Sequence, residues 1–161
     1  MRLMGQYKAQ DGRLPPGIIA YLPPLAALAL IVLLTVQPSG ESGRFSQWFA
    51  SQLIHWLHLE NRPHWCVFIA RNARRIGHVL EYFLLGLTVA AAFRISGRRG
   101  FLGALAVCAA VSLADQTLKI FIPGRHFDHF DLLMDLLGYG AAILLVLALS
   151  EIWKRKRRKH V

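Results

Sequence analysis

The sequence predicts an all-α, polytopic membrane protein with about four transmembrane helices and one amphipathic helix lying in the membrane interface. Of the 161 residues, 55% are hydrophobic and only 17% are charged, and long apolar runs alternate with short basic ones. A soluble domain typically carries about a quarter charged residues. The alternation therefore indicates a lipid solvent rather than a single water-facing core.

Each predicted span is an apolar run that approaches the ~20 residues needed to cross a hydrocarbon core of ~30 Å. The first run lacks charge and contains Pro23-Pro24, which should kink its first turns or lie near the interface. We interpret this run as a retained anchor, because it is longer than a usual signal core and no clear cleavage site follows it. The predicted spans are 18–36, 76–93, 101–122 and 132–153, between a cytoplasmic N-terminal segment, 1–17, and a basic cytoplasmic tail, 154–161.

Residues 45–58 predict the amphipathic helix, because apolar and polar side chains alternate there at helical spacing. Its apolar face includes Trp48 and Trp56, and tryptophan is common in helices that lie in the membrane interface. A helix packed on its own protein explains the same pattern equally well. The sequence leaves these two interpretations open.

Basic residues predict the orientation of the chain. Twelve of the 19 Lys and Arg residues fall on the side that holds both termini and the 94–100 connection. An excess of Lys and Arg marks the cytoplasmic side, so we expect both termini in the cytoplasm of a cell whose plasma membrane the chain spans. The run Lys154–Lys159 is expected to contact anionic lipids of the inner leaflet, and not nucleic acid, since no nucleic-acid-binding fold accompanies it.

The sequence predicts no cofactor and no metal. Cys66 and Cys108 form neither a CxxC motif nor a disulfide framework. Ligand atoms for a metal occur between His126 and Asp131, but neighbouring histidines in a turn are more often solvated. No nucleophile constellation, phosphate-binding glycine loop or HExxH motif is present.

Ionisable residues occupy one end of three predicted spans, and these ends should meet. The uncharged stretches 82–93, 101–114 and 136–150 are too short to cross a bilayer unaided, so each span must take in its flanking polar residues. Successive spans run antiparallel, which places all three polar ends on the same, extracytoplasmic side. The candidate polar site consists of His78, Glu81, Tyr82, Asp115, Lys119, Arg125, Asp131 and Asp135.

Helical spacing supports an inward-facing cluster. Asp115 and Lys119 are four residues apart, close enough for an ion pair, and ionised side chains facing lipid are costly. Such residues inside a membrane are functional by default, although an ion-pair network that only holds the helices together is the alternative. Close helix approach is expected at four glycines, namely Gly86, Gly103, Gly138 and Gly140.

Three segments together resemble one protein family. Residues 75–86, RIGHVLEYFLLG, are similar to the pattern K-x-A-H-F-x-E-Y-x-x-L-G, and residues 115–125, DQTLKIFIPGR, to D-E-x-x-Q-x-F-x-P-G-R. Residues 131–138, DLLMDLLG, are similar to the D-x-x-x-N/D-x-x-G that follows. These are patterns of the VanZ-like membrane family, named for a protein associated with teicoplanin resistance. The resemblance covers about residues 70–147.

Two positions depart from the family pattern. Gln116 stands where Glu is usual, and Lys119 where Gln is usual, so one negative charge is lost and one positive charge is gained. This exchange would turn an open acidic site into an internal ion pair. The resemblance implies a cell-envelope membrane protein that alters sensitivity to a lipophilic glycopeptide, without implying an established reaction.

These observations lead to three hypotheses of function. We expect a non-enzymatic envelope protein that binds the polar head group of a lipid or of a lipid-tailed antibiotic. Arg125 would contact its phosphate or carboxylate, and Asp131, Asp135 and Glu81 would orient Arg125 or bind amines. One alternative is an intramembrane enzyme acting on a lipid-linked envelope precursor, with His78 or Asp115 as acid or base. The other is a small lipid transporter. The inner halves of the spans are almost wholly apolar, which argues against a continuous polar path through a single chain.

Overall fold

The computed structural model describes residues 19–96 and 100–158, and within them the chain forms five α-helices and no strand. The helices are α1 (Leu22–Thr35), α2 (Ser39–Trp56), α3 (Pro63–Ile95), α4 (Phe101–Lys119) and α5 (His129–Arg158). Three of them, α3, α4 and α5, are long and apolar enough to cross a membrane. The prediction of an all-α polytopic membrane protein is confirmed. The predicted N-terminal segment, 1–17, lies outside the described residues.

Helix α1 begins later than the first predicted span, 18–36, and ends one residue before that span does. It has 14 residues, with proline in its first turn, and at ~1.5 Å per residue it is shorter than a ~30 Å hydrocarbon core. The chain then bends by 118° into α2, so that α1 and α2 give a fourth crossing only as one broken span. Pro38 precedes α2 in an extended conformation, with ψ of 154°, and so separates the two helices just beyond the end of the predicted span.

Helix α2 packs on α3, although part of its apolar surface remains exposed. Ala50 of α2 is buried against Ile69 and Ala73 of α3. Trp48 and Trp56 face outward, with 56% and 72% of their surface exposed. Packing on the chain's own helix is therefore observed for part of the apolar face, and a position in the membrane interface stays a prediction for the exposed part.

Helix α3 begins at Pro63, well before the predicted start of the span at residue 76. Hydropathy marks only where a helix becomes apolar, and the polar first half of α3 is held as helix by its packing against α2.

Helix α4 stops at Lys119, and tight turns follow up to Gly124, whose φ of 74° favours glycine. Helix α5 continues to Arg158, so the predicted basic tail begins as helix.

The closest helix contact joins α3 to α5 through two glycines. A Cβ on Gly86 would lie 2.7 Å from Tyr139 Cα, and one on Gly138 would lie 2.4 Å from the Val79 carbonyl oxygen. Close approach is confirmed at both, and at Gly103 the facing atoms belong to the Phe93 side chain. For Gly140 the prediction is wrong, because nothing lies within 4 Å of its added Cβ.

Candidate functional site

Four helices bring buried polar side chains into one cluster. It lies at the end of α1, in the middle of α3, at the end of α4 and in the first turns of α5. Each member has less than a tenth of its surface exposed. We call this set the polar cluster, and its members are Thr35, His78, Ser112, Asp115, Gln116, Lys119, Asp131 and Asp135.

Lys119 lies at the centre of the polar cluster and is 1% exposed. Its ammonium nitrogen is 3.1 Å from Asp115 Oδ2 and 3.3 Å from Asp131 Oδ2. The same nitrogen is 3.3 Å from His78 Nε2. The predicted ion pair between Asp115 and Lys119 is therefore present, and the ammonium also links α4 to α3 and α5.

His78 connects two carboxylates of α5. Its Nδ1 lies 2.9 Å from Asp135 Oδ1, and its Nε2 lies 3.3 Å from Asp131 Oδ2. The other oxygen of Asp135 accepts a hydrogen bond of 2.7 Å from the Ser112 hydroxyl. With both ring nitrogens facing carboxylates, the imidazolium form can donate two hydrogen bonds. The α3–α5 contact is thus fixed by polar groups as well as by glycines.

Asp131 joins the polar cluster to a partly exposed arginine. Arg74 Nη2 donates to Asp131 Oδ2 at 2.7 Å, while the Arg74 side chain is 47% exposed. A carboxylate that accepts from an arginine and a lysine gains charge-assisted hydrogen bonds, which are about twice as strong as neutral ones. The negative charge of Asp131 is therefore neutralised by cations from two helices, α3 and α4. Arg74 lies where the polar cluster reaches the protein surface.

Neutral side chains complete the surroundings of Asp115. The Thr35 hydroxyl contacts Asp115 Oδ1 and lies 2.8 Å from the Ile31 carbonyl oxygen of its own helix. Gln116 Nε2 donates to Asp115 Oδ2 at 3.4 Å, and Gln116 Oε1 accepts from the Asp128 amide at 3.4 Å. Gln116 can donate to this carboxylate where an ionised glutamate could not. The two departures from the family pattern therefore both act on Asp115.

A cavity of about 230 Å³ lies beside the polar cluster, between α1, α2 and α3. Its polar lining includes Arg74, His78 and Lys119, so the cluster forms one side of it. The rest of the lining comes mainly from α1, α2 and α3 and is largely apolar, with Leu30, Leu34, Phe45, Phe49 and Leu80 beside the polar Gln37, Ser42 and Ser46. The cavity is thus lined by both charged and hydrocarbon-like side chains.

Two further charged residues line this cavity without joining the cluster. Arg125 donates to the Leu34 carbonyl oxygen at 3.3 Å, and no carboxylate of the described residues forms an ion pair with it. Burial lowers the pKa of Arg125, helped by the neighbouring Arg74 and opposed by carboxylates, yet a guanidinium stays protonated. Glu81 is partly buried and forms no hydrogen bond or ion pair with any described residue.

The structure divides the eight predicted site residues into three groups. Five belong to the polar cluster, and Glu81 and Arg125 line the cavity. Tyr82 is 0% exposed in the apolar core, where its ring stacks on His78 at 6.4 Å between centroids. Its hydroxyl has no hydrogen-bond partner within the described ranges. Asp128, which was not among the eight, lies at the start of α5 and accepts a hydrogen bond of 2.8 Å from the Phe130 amide.

Sequence reasoning left three members of the polar cluster out of the candidate site. Ser112 and Gln116 were detectable, because they share a helical face with Asp115 and Lys119. Thr35 was not detectable in this way, since its role depends on where α1 ends and meets α4. Arg74 was not among the candidate site residues either, because its pairing with Asp131 depends on the early start of α3.

One group in the described part of the chain has the geometry to hold a metal ion. Ligand atoms of His78, Asp115 and Asp135 all lie within 4.8 Å of one another. The Lys119 ammonium, however, already contacts His78 and Asp115. Lys119 thus supplies positive charge at the place where a cation would otherwise do so. The histidines of the predicted turn, His126 and His129, are exposed.

Comparison with known proteins gives one match. The family model described as VanZ/LLP1 matches residues 21–151, which is about four fifths of the chain. No curated protein and no solved structure matches the chain. The matched region contains all five helices up to the last turns of α5, and therefore the polar cluster and the cavity.

Proposed function

The chain belongs to the VanZ/LLP1 family, and on that premise we propose that it binds the polar head group of a membrane lipid, or of a lipid-tailed glycopeptide, in the cavity beside the polar cluster. The observation that carries this proposal is the lining of the cavity, which combines charged and apolar side chains. An apolar wall suits the hydrocarbon part of an amphiphile, and cationic side chains suit phosphate or carboxylate. In this proposal the protein belongs to the cell envelope, and through such binding it modulates antibiotic susceptibility.

Arg125 is the residue proposed to contact the anionic part of the ligand. Its guanidinium lines the cavity and has a single hydrogen-bond partner among the described residues, the Leu34 carbonyl oxygen. A guanidinium can bind phosphate or carboxylate through two hydrogen bonds. Asp131 and Asp135 are buried against His78 and Lys119 and do not line the cavity. They position the polar side of the cavity rather than contact a ligand.

A susceptibility assay tests the antibiotic part of this proposal. Expression of the wild-type chain in a glycopeptide-sensitive host should change the inhibitory concentration of teicoplanin, and Arg125→Ala should abolish that change. Arg71→Ala is the matched control, since Arg71 is exposed on α3 and does not line the cavity. An Arg125→Ala protein that accumulates normally and acts like the wild type would contradict the site.

The proposed location is the plasma membrane, with both termini in the cytoplasm and the cavity at the level of the outer leaflet. The basic end of α5 would then meet anionic lipids of the inner leaflet. In a variant lacking Cys66 and Cys108, a cysteine at His126 should react with a membrane-impermeant maleimide in intact cells. A cysteine at Lys156 should react only after permeabilisation. The reverse pattern would contradict this orientation.

An enzymatic function is the second candidate, and the contact between His78 and Asp135 favours it. A histidine held by a carboxylate and lining a cavity has the arrangement of a general acid or base. Such an enzyme would act on a lipid-linked envelope precursor. It would release a product in purified membranes at a pH-dependent rate, and His78→Ala would remove that activity. Binding without turnover supports the first candidate.

A further inference from the structure

The cavity is lined by one acidic and one basic side chain for which the described part of the chain provides no ion-pair partner. Arg125 and Glu81 both line it, but they do not pair with each other or with another ionised side chain in the described ranges. Removing a charge from water is costly unless it is paired. A ligand that carries both a negative and a positive group would compensate both side chains at once.

The other charged groups of the lining are already compensated. Lys119 is in contact with Asp115 and Asp131, and Arg74 pairs with Asp131 at 2.7 Å. Asp115, Asp131 and Asp135 are not among the lining residues. The charges that remain for a ligand are therefore one guanidinium and one carboxylate, which complement a zwitterion better than a simple anion.

The remainder of the lining indicates where such a zwitterion comes from. Leu30 and Leu80 line the cavity and are 42% and 49% exposed, so the cavity reaches the apolar surface of the helices. In a membrane protein that surface faces lipid. A head group that enters along it keeps its tails in hydrocarbon, whereas a free zwitterion from water would gain nothing from the apolar wall.

We propose that the cavity binds the zwitterionic head group of an aminophospholipid, with Arg125 on the phosphate and Glu81 on the primary ammonium. This inference rests on the proposed function and names the ligand class for it. Phosphate accepts hydrogen bonds from the guanidinium, and the ammonium donates hydrogen bonds to the carboxylate. Phosphatidylglycerol lacks the ammonium, and phosphatidylcholine has no N–H group to donate.

Lipid binding to the purified full-length protein tests the proposal. The protein is delipidated in detergent, and binding of phosphatidylethanolamine, phosphatidylglycerol and phosphatidylcholine with identical tails is measured by native mass spectrometry. The wild type should prefer phosphatidylethanolamine over the other two by about tenfold or more, since a hydrogen bond to a charged group contributes ~1.5–3 kcal/mol. Phosphoethanolamine, which has no tails, should compete poorly with phosphatidylethanolamine for the protein. If it competed equally well, the ligand would not have to be a membrane lipid and this assignment would be wrong.

Two substitutions assign the two contacts. Glu81→Gln should remove the preference for phosphatidylethanolamine while binding of phosphatidylglycerol persists. Arg125→Ala should weaken all three lipids by about tenfold or more, since each of them carries the phosphate. Arg125→Lys keeps the charge but loses the bidentate geometry, so it should bind more weakly than the wild type with the preference retained. Elution as a single monodisperse peak shows that each variant is folded.

Control variants make the same charge changes outside the cavity. Glu41→Gln and Arg71→Ala alter exposed residues that are not in the lining, and both should bind like the wild type. Equal binding of phosphatidylethanolamine and phosphatidylglycerol by the wild type would overturn the zwitterion assignment and leave the proposed function standing. If the wild type bound none of the three lipids, both this inference and lipid-head-group binding would be wrong.

Discussion

Lys119→Met is expected to lower the free energy of unfolding by about 3–5 kcal/mol, the usual cost of removing one partner from a buried ion pair. Methionine has a similar length, so lost packing contributes little. What changes is the charge around Asp115, whose remaining partners are the neutral Thr35 and Gln116. Asp131 keeps Arg74 and His78. Unfolding in mixed micelles, followed by circular dichroism, measures the loss.

A double substitution separates the charge effect from a general disturbance of the helices. Asp115→Asn combined with Lys119→Met removes both charges, and it should be more stable than Lys119→Met alone. The coupling between the two positions is read from the cycle of single and double variants. Lys156→Met, on an exposed turn of α5, should change stability by less than about 0.5 kcal/mol. A Lys119→Met protein as stable as the wild type would refute the role of Lys119 as a buried counter-charge.

The convergence of the polar cluster was predictable because it depends on spacing and on the thickness of a bilayer. Asp115 and Lys119 share a helical face wherever α4 begins or ends. Three short apolar stretches force their flanking charges to one level of the membrane. The contacts from His78 and Lys119 to Asp131 then follow from antiparallel neighbours. These inferences survive errors of several residues in the helix boundaries.

The cavity was not predictable, because it depends on boundaries that hydropathy does not determine. The bend of 118° after α1 brings Phe45 and Phe49 of α2 over α3. The early start of α3 then places Arg74 beside Asp131. Whether an apolar run continues as one helix depends on tertiary packing as much as on its composition. The sequence therefore placed Glu81 in an ion-pair cluster, whereas it lines the cavity and pairs with none of the residues that the structure describes.

Gly138→Ala is expected to be the most disruptive change of a single methyl group. The new Cβ would lie 2.4 Å from the Val79 carbonyl oxygen and 3.0 Å from the Phe83 backbone nitrogen. Both atoms belong to the backbone of α3, so no side chain can rotate away and the two helices must separate. Overpacking typically costs about 1–3 kcal/mol, and the same separation would lengthen the contact between His78 and Asp135, which lies one turn away.

Gly140→Ala is the matched control, because the same change on the same helix meets nothing within 4 Å. Alanine forms helix better than glycine by up to ~1 kcal/mol, so Gly140→Ala should unfold at equal or higher denaturant concentration than the wild type. The difference between the two variants then isolates the steric effect from helix propensity. If both variants unfolded alike, α3 and α5 would be able to separate at no cost. The glycine contact would then not determine how closely His78 approaches Asp135.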